Sequence, residues 1–488
     1  MPISPSTKNA IKVAVSVVLV ISLALWFQWD KPYWSVISII AMAVNETYGH
    51  ALRKGRNRIL GTLLGMGYAV FLIGCFSQEP LLFIVFYTLF LAYCVFMAGN
   101  QRYGYMFTIA FVVCAIIASI GGFDSTNTFN IAVLRIQETL LGVVVYSLVF
   151  RLLWPQETES HFFSTLNSVV TDLNSSYYTL LDNKNLDTST IGNVQTQIYK
   201  LQELLSLPLT GSHQLQHQHR KWRFFVSVCQ RVQSHMEHLS QGQNTESEKS
   251  QTAYSEKDLR TLASVLSLLD KATTGDGDNN GNSHKALRLY IQEHAAKLKV
   301  PLQESSSSTT AALAQQPMLS NETKARLRNA FKAVCILLTC MGLWIFIPLP
   351  GGTIFPMIAS VFANVIVSMP DSMVKQAFWG TLGWGAAILI QYTLVMPGFT
   401  ELWQLAGFYG VNIFIIWKLC ESPSLGIQKV LGGNLLVVLT MSALQSTPSY
   451  SIETPLLMLV NVMICMAVIR FYTGLKLYDG TCSGKLRR

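Results

Sequence analysis

Two ionisable residues stand inside an otherwise apolar stretch, and their spacing is the most chemically suggestive feature of the chain. Arg135 and Glu138 are three positions apart in the segment 131–153, so on a helix they share a face. A charge held mid-bilayer costs about 2.5–3.5 kcal/mol on insertion scales, which makes intramembrane ions functional candidates by default. Two readings stay open: the pair neutralises itself as a structural element, or Arg135 attracts an anion while Glu138 carries a proton. The second draws on the readiness with which a carboxyl group held away from water keeps its proton.

Further polar candidates end apolar runs. Asn45 and Glu46 close the segment 32–47, and Asn364 stands at the matching place in 353–369; they either hydrogen-bond a substrate or cap and pair helices at the inner interface. Pro356, after Pro348, Pro350, Gly351 and Gly352, allows a broken helix whose backbone groups line a cavity. Gly61, Thr62 and Gly65, with Gly380, Thr381 and Gly383, are small residues at helix-packing spacing, where two backbones can approach. The basic run Arg53-Lys54-Gly55-Arg56-Asn57-Arg58 reads as a topology determinant touching anionic lipid, or as a vestibule that collects anions.

Signals for other chemistry are weak. His213 and His217 are four apart and His235 and His238 three apart, without the HExxH pattern of a zinc enzyme. Asp276-Gly277-Asp278-Asn279-Asn280-Gly281 opens like a calcium loop, but Leu287 stands where the bidentate Glu belongs. There is no GxxxxGK[ST] phosphate loop and no nucleophile elbow. The expectation is a protein that is not an enzyme, with no metal and no cofactor.

The elements that must position these residues are membrane helices. Half of the 488 residues are hydrophobic and 13% are charged, outside ordinary soluble composition. A bilayer core about 30 Å thick needs roughly 20 apolar residues per helix. Segments of this kind lie near 11–28, 32–47, 59–76, 81–98, 104–121 and 131–153, then 330–347, 353–369, 376–396, 402–419, 426–444 and 454–473. The fold expected is therefore all-α with about twelve transmembrane helices. The net charge of +9 does not point to nucleic acid, because Lys and Arg cluster in short connectors. With the N-terminus inside, one set of connectors holds Arg53, Lys54, Arg56, Arg58, Arg102, Arg151, Lys324, Arg326, Arg328, Lys375, Lys418 and Arg470, and the other holds Lys31. That bias sets both termini and the middle region in the cytoplasm. The first apolar stretch ends in Trp26-Phe27-Gln28-Trp29 rather than a small-residue cleavage site, so it is expected to remain as the first helix.

The chain is also written twice. Asn9-Ala10-Ile11-Lys12 matches Asn329-Ala330-Phe331-Lys332, Gly61-Thr62-Leu63 matches Gly380-Thr381-Leu382, and Arg151 matches Arg470. An even number of spans in each half makes the repeats parallel, and such repeats place a substrate path at their interface in some transporters. The domains expected are a first six-helix repeat (1–155), a cytoplasmic helical domain with a linker (156–328), a second six-helix repeat (329–475) and a short basic tail (476–488). Phe162, Leu166, Val169 and Leu173 recur at helical spacing in the middle region. So do Val194, Ile198, Leu201 and Leu205, then Phe225, Val228, Val232 and Met236, and last Leu259, Leu262, Val265 and Leu269. This is the pattern of a small bundle of amphipathic helices.

Pro32-Tyr33-Trp34, Gly49, Arg58, Gly61-Thr62-Leu63-Leu64-Gly65, Arg135-x-x-Glu138, Leu153-Trp154-Pro155 and Met369-Pro370-Asp371 together resemble the fusaric acid resistance family of bacterial inner-membrane proteins, which includes aromatic carboxylic acid exporters. The resemblance implies export of small organic anions across the inner membrane, driven by the proton gradient, with a periplasmic adaptor (membrane fusion) protein. The partners expected are membrane lipid, a small organic anion, that adaptor and further copies of the chain. A passive anion channel and a non-transporting membrane scaffold are the competing readings.

Overall fold

The computed structural model describes residues 4–29, 32–43, 48–100, 102–121, 125–154, 158–181, 188–206, 219–242, 266–267, 318–347, 352–422, 425–445 and 448–474. Among them every long element is a helix and there is no strand. In chain order the helices are α1 (Pro5–Trp26), α2 (Tyr33–Met42), α3 (Tyr48–Phe76), α4 (Pro80–Ala98), α5 (Gly104–Gly121) and α6 (Ser125–Leu152). They continue as α7 (Thr158–Leu181), α8 (Thr188–Ser206), α9 (His219–Gly242), α10 (Met318–Phe346), α11 (Ile354–Ile366), α12 (Asp371–Leu394), α13 (Leu402–Leu419), α14 (Gly426–Leu439) and α15 (Glu453–Gly474). The chain divides into two compact units, one made of 1–46, 51–155 and 315–488, the other of 47–50 and 156–314.

Among the described residues nine helices are long and apolar enough to cross a membrane. Three more of the twelve apolar runs fold as shorter helices. α2 has 10 residues, α11 has 13 and α14 has 14. At 1.5 Å per residue they reach about 15, 20 and 21 Å, short of a 30 Å hydrocarbon core. Hydropathy reports composition, not where the backbone leaves the helix. The run containing α14, for example, passes into a 3-10 turn at Met441–Leu444.

Local sequence explains several ends. Ser4 caps α1 by accepting from the Thr7 amide at 3.2 Å, and Pro5 follows in the first turn, where its missing N–H costs nothing. Glu401 and Gln404 form a reciprocal capping box at the start of α13. Asp371 sits in the first turn of α12, where a negative charge suits the helix dipole, and pairs with Lys375 at 2.9 Å.

Helices of the two sequence halves pack on one another within the first unit. α1 lies on α13 and α4 on α10, α2 on α14 and α5 on α11, while within each half α2 lies on α6 and α11 on α15. Two apolar cores result. One draws on α3, α4 and α5 with α10, α11 and α15, and includes Phe111, Cys114, Ile336 and Phe355. The other draws on α1, α2 and α6 with α12, α13 and α14, and includes Ile39, Tyr146, Tyr409 and Trp417. The outward faces are apolar too, with Leu63, Phe71, Leu89 and Val144 exposed.

The second unit is a helical bundle in which α7, α8 and α9 pack pairwise. Its core holds Phe162, Leu166, Val169, Val194, Ile198, Leu201, Phe225 and Cys229, which are the faces that the helical spacing marks out. Leu259, Leu262, Val265 and Leu269 lie outside the described residues.

Candidate functional site

The site is built on the seam between α2 and α6. Gly142 allows the contact: a Cβ there would come within 2.8 Å of the Ser35 carbonyl oxygen and 2.9 Å of the Ser38 Cβ. The Ser35 hydroxyl donates to the Glu138 carbonyl at 2.9 Å, tying the two helices at the level of the charged pair. Arg135 Nη1 lies 3.7 Å from Glu138 Oε2, with the two side chains only 6% and 2% exposed. That separation is an ion pair but is too long for a full hydrogen bond. The Arg135 guanidinium carbon stands 3.5 Å from the centroid of the Trp34 ring, a contact worth about 2 kcal/mol when desolvated.

A second arginine joins from α3. Arg58 is 8% exposed; its Nε donates to the Ser38 hydroxyl at 3.0 Å and its Nη1 to the Tyr105 hydroxyl at 2.9 Å. Ser38 in turn donates to the Trp34 carbonyl at 2.8 Å. One face of α2 thus receives both arginines, Arg135 at Trp34 and Arg58 one turn on at Ser38. Among the described residues the side chains gathered here are two arginines and one carboxylate, which is chemistry for holding an anion.

This arrangement corrects the reading of the basic run as a connector. α3 begins at Tyr48 and runs through it, burying Gly55, Asn57 and Arg58, leaving Arg53 and Lys54 half-buried and exposing Arg56. Asn57 donates to the Arg102 carbonyl at 2.9 Å. Sequence reasoning missed Arg58 as a buried group, along with Trp34, Ser35 and Ser38; two serines three apart in an apolar helix were the available signal. Lys12 is buried as well, donating to the Trp154 carbonyl at 2.6 Å with its ammonium 5.1 Å from the Phe150 ring centroid.

The remaining candidates are dispersed. Asn45 and Glu46 lie outside the described residues. Asn364 is buried in the seam between α11 and α5, donating to the Thr108 carbonyl at 2.9 Å, with no hydrogen-bond partner for its Oδ1 among the described residues. Gly61 and Gly65 face the α5 backbone at Met106 and Ala110, where a Cβ would collide with carbonyl oxygens. Thr62 and Thr381 each bond back one turn, to Arg58 at 2.9 Å and Ala377 at 2.8 Å. Arg58 therefore has Ala377 as its counterpart in the second half. Gly380 is covered by the Gln428 side chain, whereas among the described residues nothing lies within 4 Å of a Cβ placed at Gly383. Among the described residues no three His, Cys, Asp or Glu side chains gather; His213, His217 and the segment 276–287 lie outside them.

A model of the Fusaric acid resistance protein family matches residues 8–474. The p-hydroxybenzoic acid efflux pump subunit AaeB of Musicola paradisiaca (strain Ech703) is 20% identical over 511 residues, covering 95% of this chain and 75% of that protein. The protein described as uncharacterized transporter YdhK of Escherichia coli (strain K12) is 25% identical over 150 residues, 30% of this chain. The AaeB subunit of Citrobacter koseri is 27% identical over 145 residues, 28% of this chain. The matched stretch spans only 22% of the length of YdhK and of the Citrobacter protein. No solved structure matches.

Proposed function

We propose that this chain, which belongs to the fusaric acid resistance protein family, is a multi-pass efflux transporter that exports small aromatic carboxylic acids under the proton gradient. The observation that carries this reading is the buried, loosely held Arg135–Glu138 pair seated on Trp34. A carboxylate arriving at Arg135 replaces one negative charge with another, and the site stays neutral when Glu138 takes up a proton. Anion binding and proton exchange are thereby linked. Trp34 offers an aromatic face at the same point. The relatives named for p-hydroxybenzoic acid efflux make p-hydroxybenzoate the first substrate to try.

The architecture supporting it is a pair of six-helix repeats, α1–α6 and α10–α15. The contact pairs within the first unit exchange halves in matching positions, α1 with α13 and α4 with α10, as two parallel repeats about a common axis do. On this reading α2, α11 and α14 complete twelve crossings with the segments that flank them. The chain sits in the inner membrane, with both termini and the 156–328 region in the cytoplasm. Lipid, a periplasmic adaptor and further copies of the chain are its partners.

The test is efflux of p-hydroxybenzoate from preloaded cells. Arg135→Ala and Glu138→Gln should each abolish uphill efflux, and a protonophore should do the same to the unaltered protein. Efflux unchanged in both variants sinks the assigned site. Sustained single-channel currents would replace the transporter with an anion channel.

A further inference from the structure

We infer that Arg58 is a second anion-binding station, one that takes the substrate's carboxylate before or after Arg135 does. The inference rests on the efflux reading and assigns a group that the reading does not use. Arg58 and Arg135 meet the same face of α2 at Ser38 and Trp34, four residues and so about 6 Å apart along the helix. They differ in what neutralises them. Arg135 has the Glu138 carboxylate at 3.7 Å, whereas Arg58 is held among the described residues by two neutral oxygens, Ser38 Oγ and Tyr105 Oη.

A guanidinium carries five N–H donors in a planar fork that fits a carboxylate with two parallel bonds. Ser38 and Tyr105 hold this fork at Nε and Nη1 and fix its plane without cancelling its charge. Among the described residues no carboxylate is paired with Arg58, and a buried guanidinium so placed favours an anionic ligand. The second half has no equivalent, since Ala377 stands at the matching place. The charge is thus an addition to the packing scaffold rather than a part of it. Tyr105 brings an aromatic ring beside Arg58, as Trp34 does beside Arg135, so both stations suit an acid whose carboxylate is joined to a ring. An anion passing along α2 exchanges one guanidinium for the next a single turn away.

The test compares p-hydroxybenzoate with its uncharged analogue p-hydroxybenzamide, both binding to the full-length protein in lipid nanodiscs. The ratio of the two affinities does not depend on the fraction of protein that is folded. The unaltered protein should favour the carboxylate by about tenfold or more, the scale of a charge-assisted hydrogen bond. In Arg58→Gln that preference should fall by about threefold or more, the remainder being held by Arg135, with Arg58→Lys in between. Tyr105→Phe, which frees Nη1 and keeps the ring, should hold the preference at or above its starting value. Arg58→Gln retaining the full preference, or Tyr105→Phe losing it, overturns the second station while leaving the efflux reading in place. An unaltered protein that binds neither compound overturns both.

Discussion

The guanidinium of Arg135 lies flat enough on Trp34 to bring its central carbon 3.5 Å from the ring centroid, so the cation rests on an aromatic face of α2 as well as facing a carboxylate of its own helix. This contact decides how the pair tolerates change. Trp34→Phe keeps a π face and should lower thermal stability only slightly, whereas Trp34→Ala should cost about 3 kcal/mol or more. Melting of the detergent-purified variants checks the order, and equal losses would place the value of Trp34 in volume alone.

Arg135 and Glu138 should fail singly and recover together. Arg135→Met takes from Glu138 the cation of its own helix and should lower stability, by about 3–5 kcal/mol at most. Arg135→Met with Glu138→Met removes both charges and should restore most of the folded yield while remaining inactive in efflux. Additive losses in the double variant would show that the two side chains do not depend on one another.

The glycines of α3 and α12 should respond in opposite ways. Gly65→Val drives a side chain into the Ala110 backbone and should reduce folded protein severely. Gly383→Ala adds a methyl group to open space, gains helix propensity, and should raise stability by up to about 1 kcal/mol. Fluorescence-detected size exclusion of the two variants after heating separates these outcomes.

The second unit offers a pH test. Cys229 is fully buried between α7, α8 and α9, and burial pushes its thiol from the ordinary 9.0 up to about 12. Because the folded bundle prefers the protonated thiol, its contribution to stability is complete below pH 9 and fades as pH rises from there toward 12. Maleimide should leave Cys229 unlabelled at pH 8 in the folded protein and label it only in denaturant, as mass spectrometry of the peptide would report. Rapid labelling under native conditions would mean that the bundle opens freely.

Periodicity was enough to find the helices and the inner face of α7, α8 and α9, because burial at every third or fourth residue leaves its mark in composition. The charged pair was legible for the same reason: Arg135 and Glu138 interrupt a long apolar run and fall on one face. Arg58 was not, since its neighbours Arg53, Lys54 and Arg56 make any linear window look like a solvated connector. Only the continuation of α3 through that run turns one of the four cations inward, toward Ser38 and Tyr105. The shortness of α2 was hidden as well. Its apolar run continues in sequence, but the helix stops at Met42, and the Ala43 amide bonding to the Ile39 carbonyl is its closing contact.

The sharing of each apolar core between the two ends of the chain bears on how the protein is made. A ribosome that has delivered α1–α6 has delivered no finished interior, for the surfaces of α4 and α5 await α10 and α11, and that of α1 awaits α13. Through the whole synthesis of the polar middle region, those early helices stand in lipid with their mating faces open. A chain cut short before α10 keeps those faces without the helices that cover them.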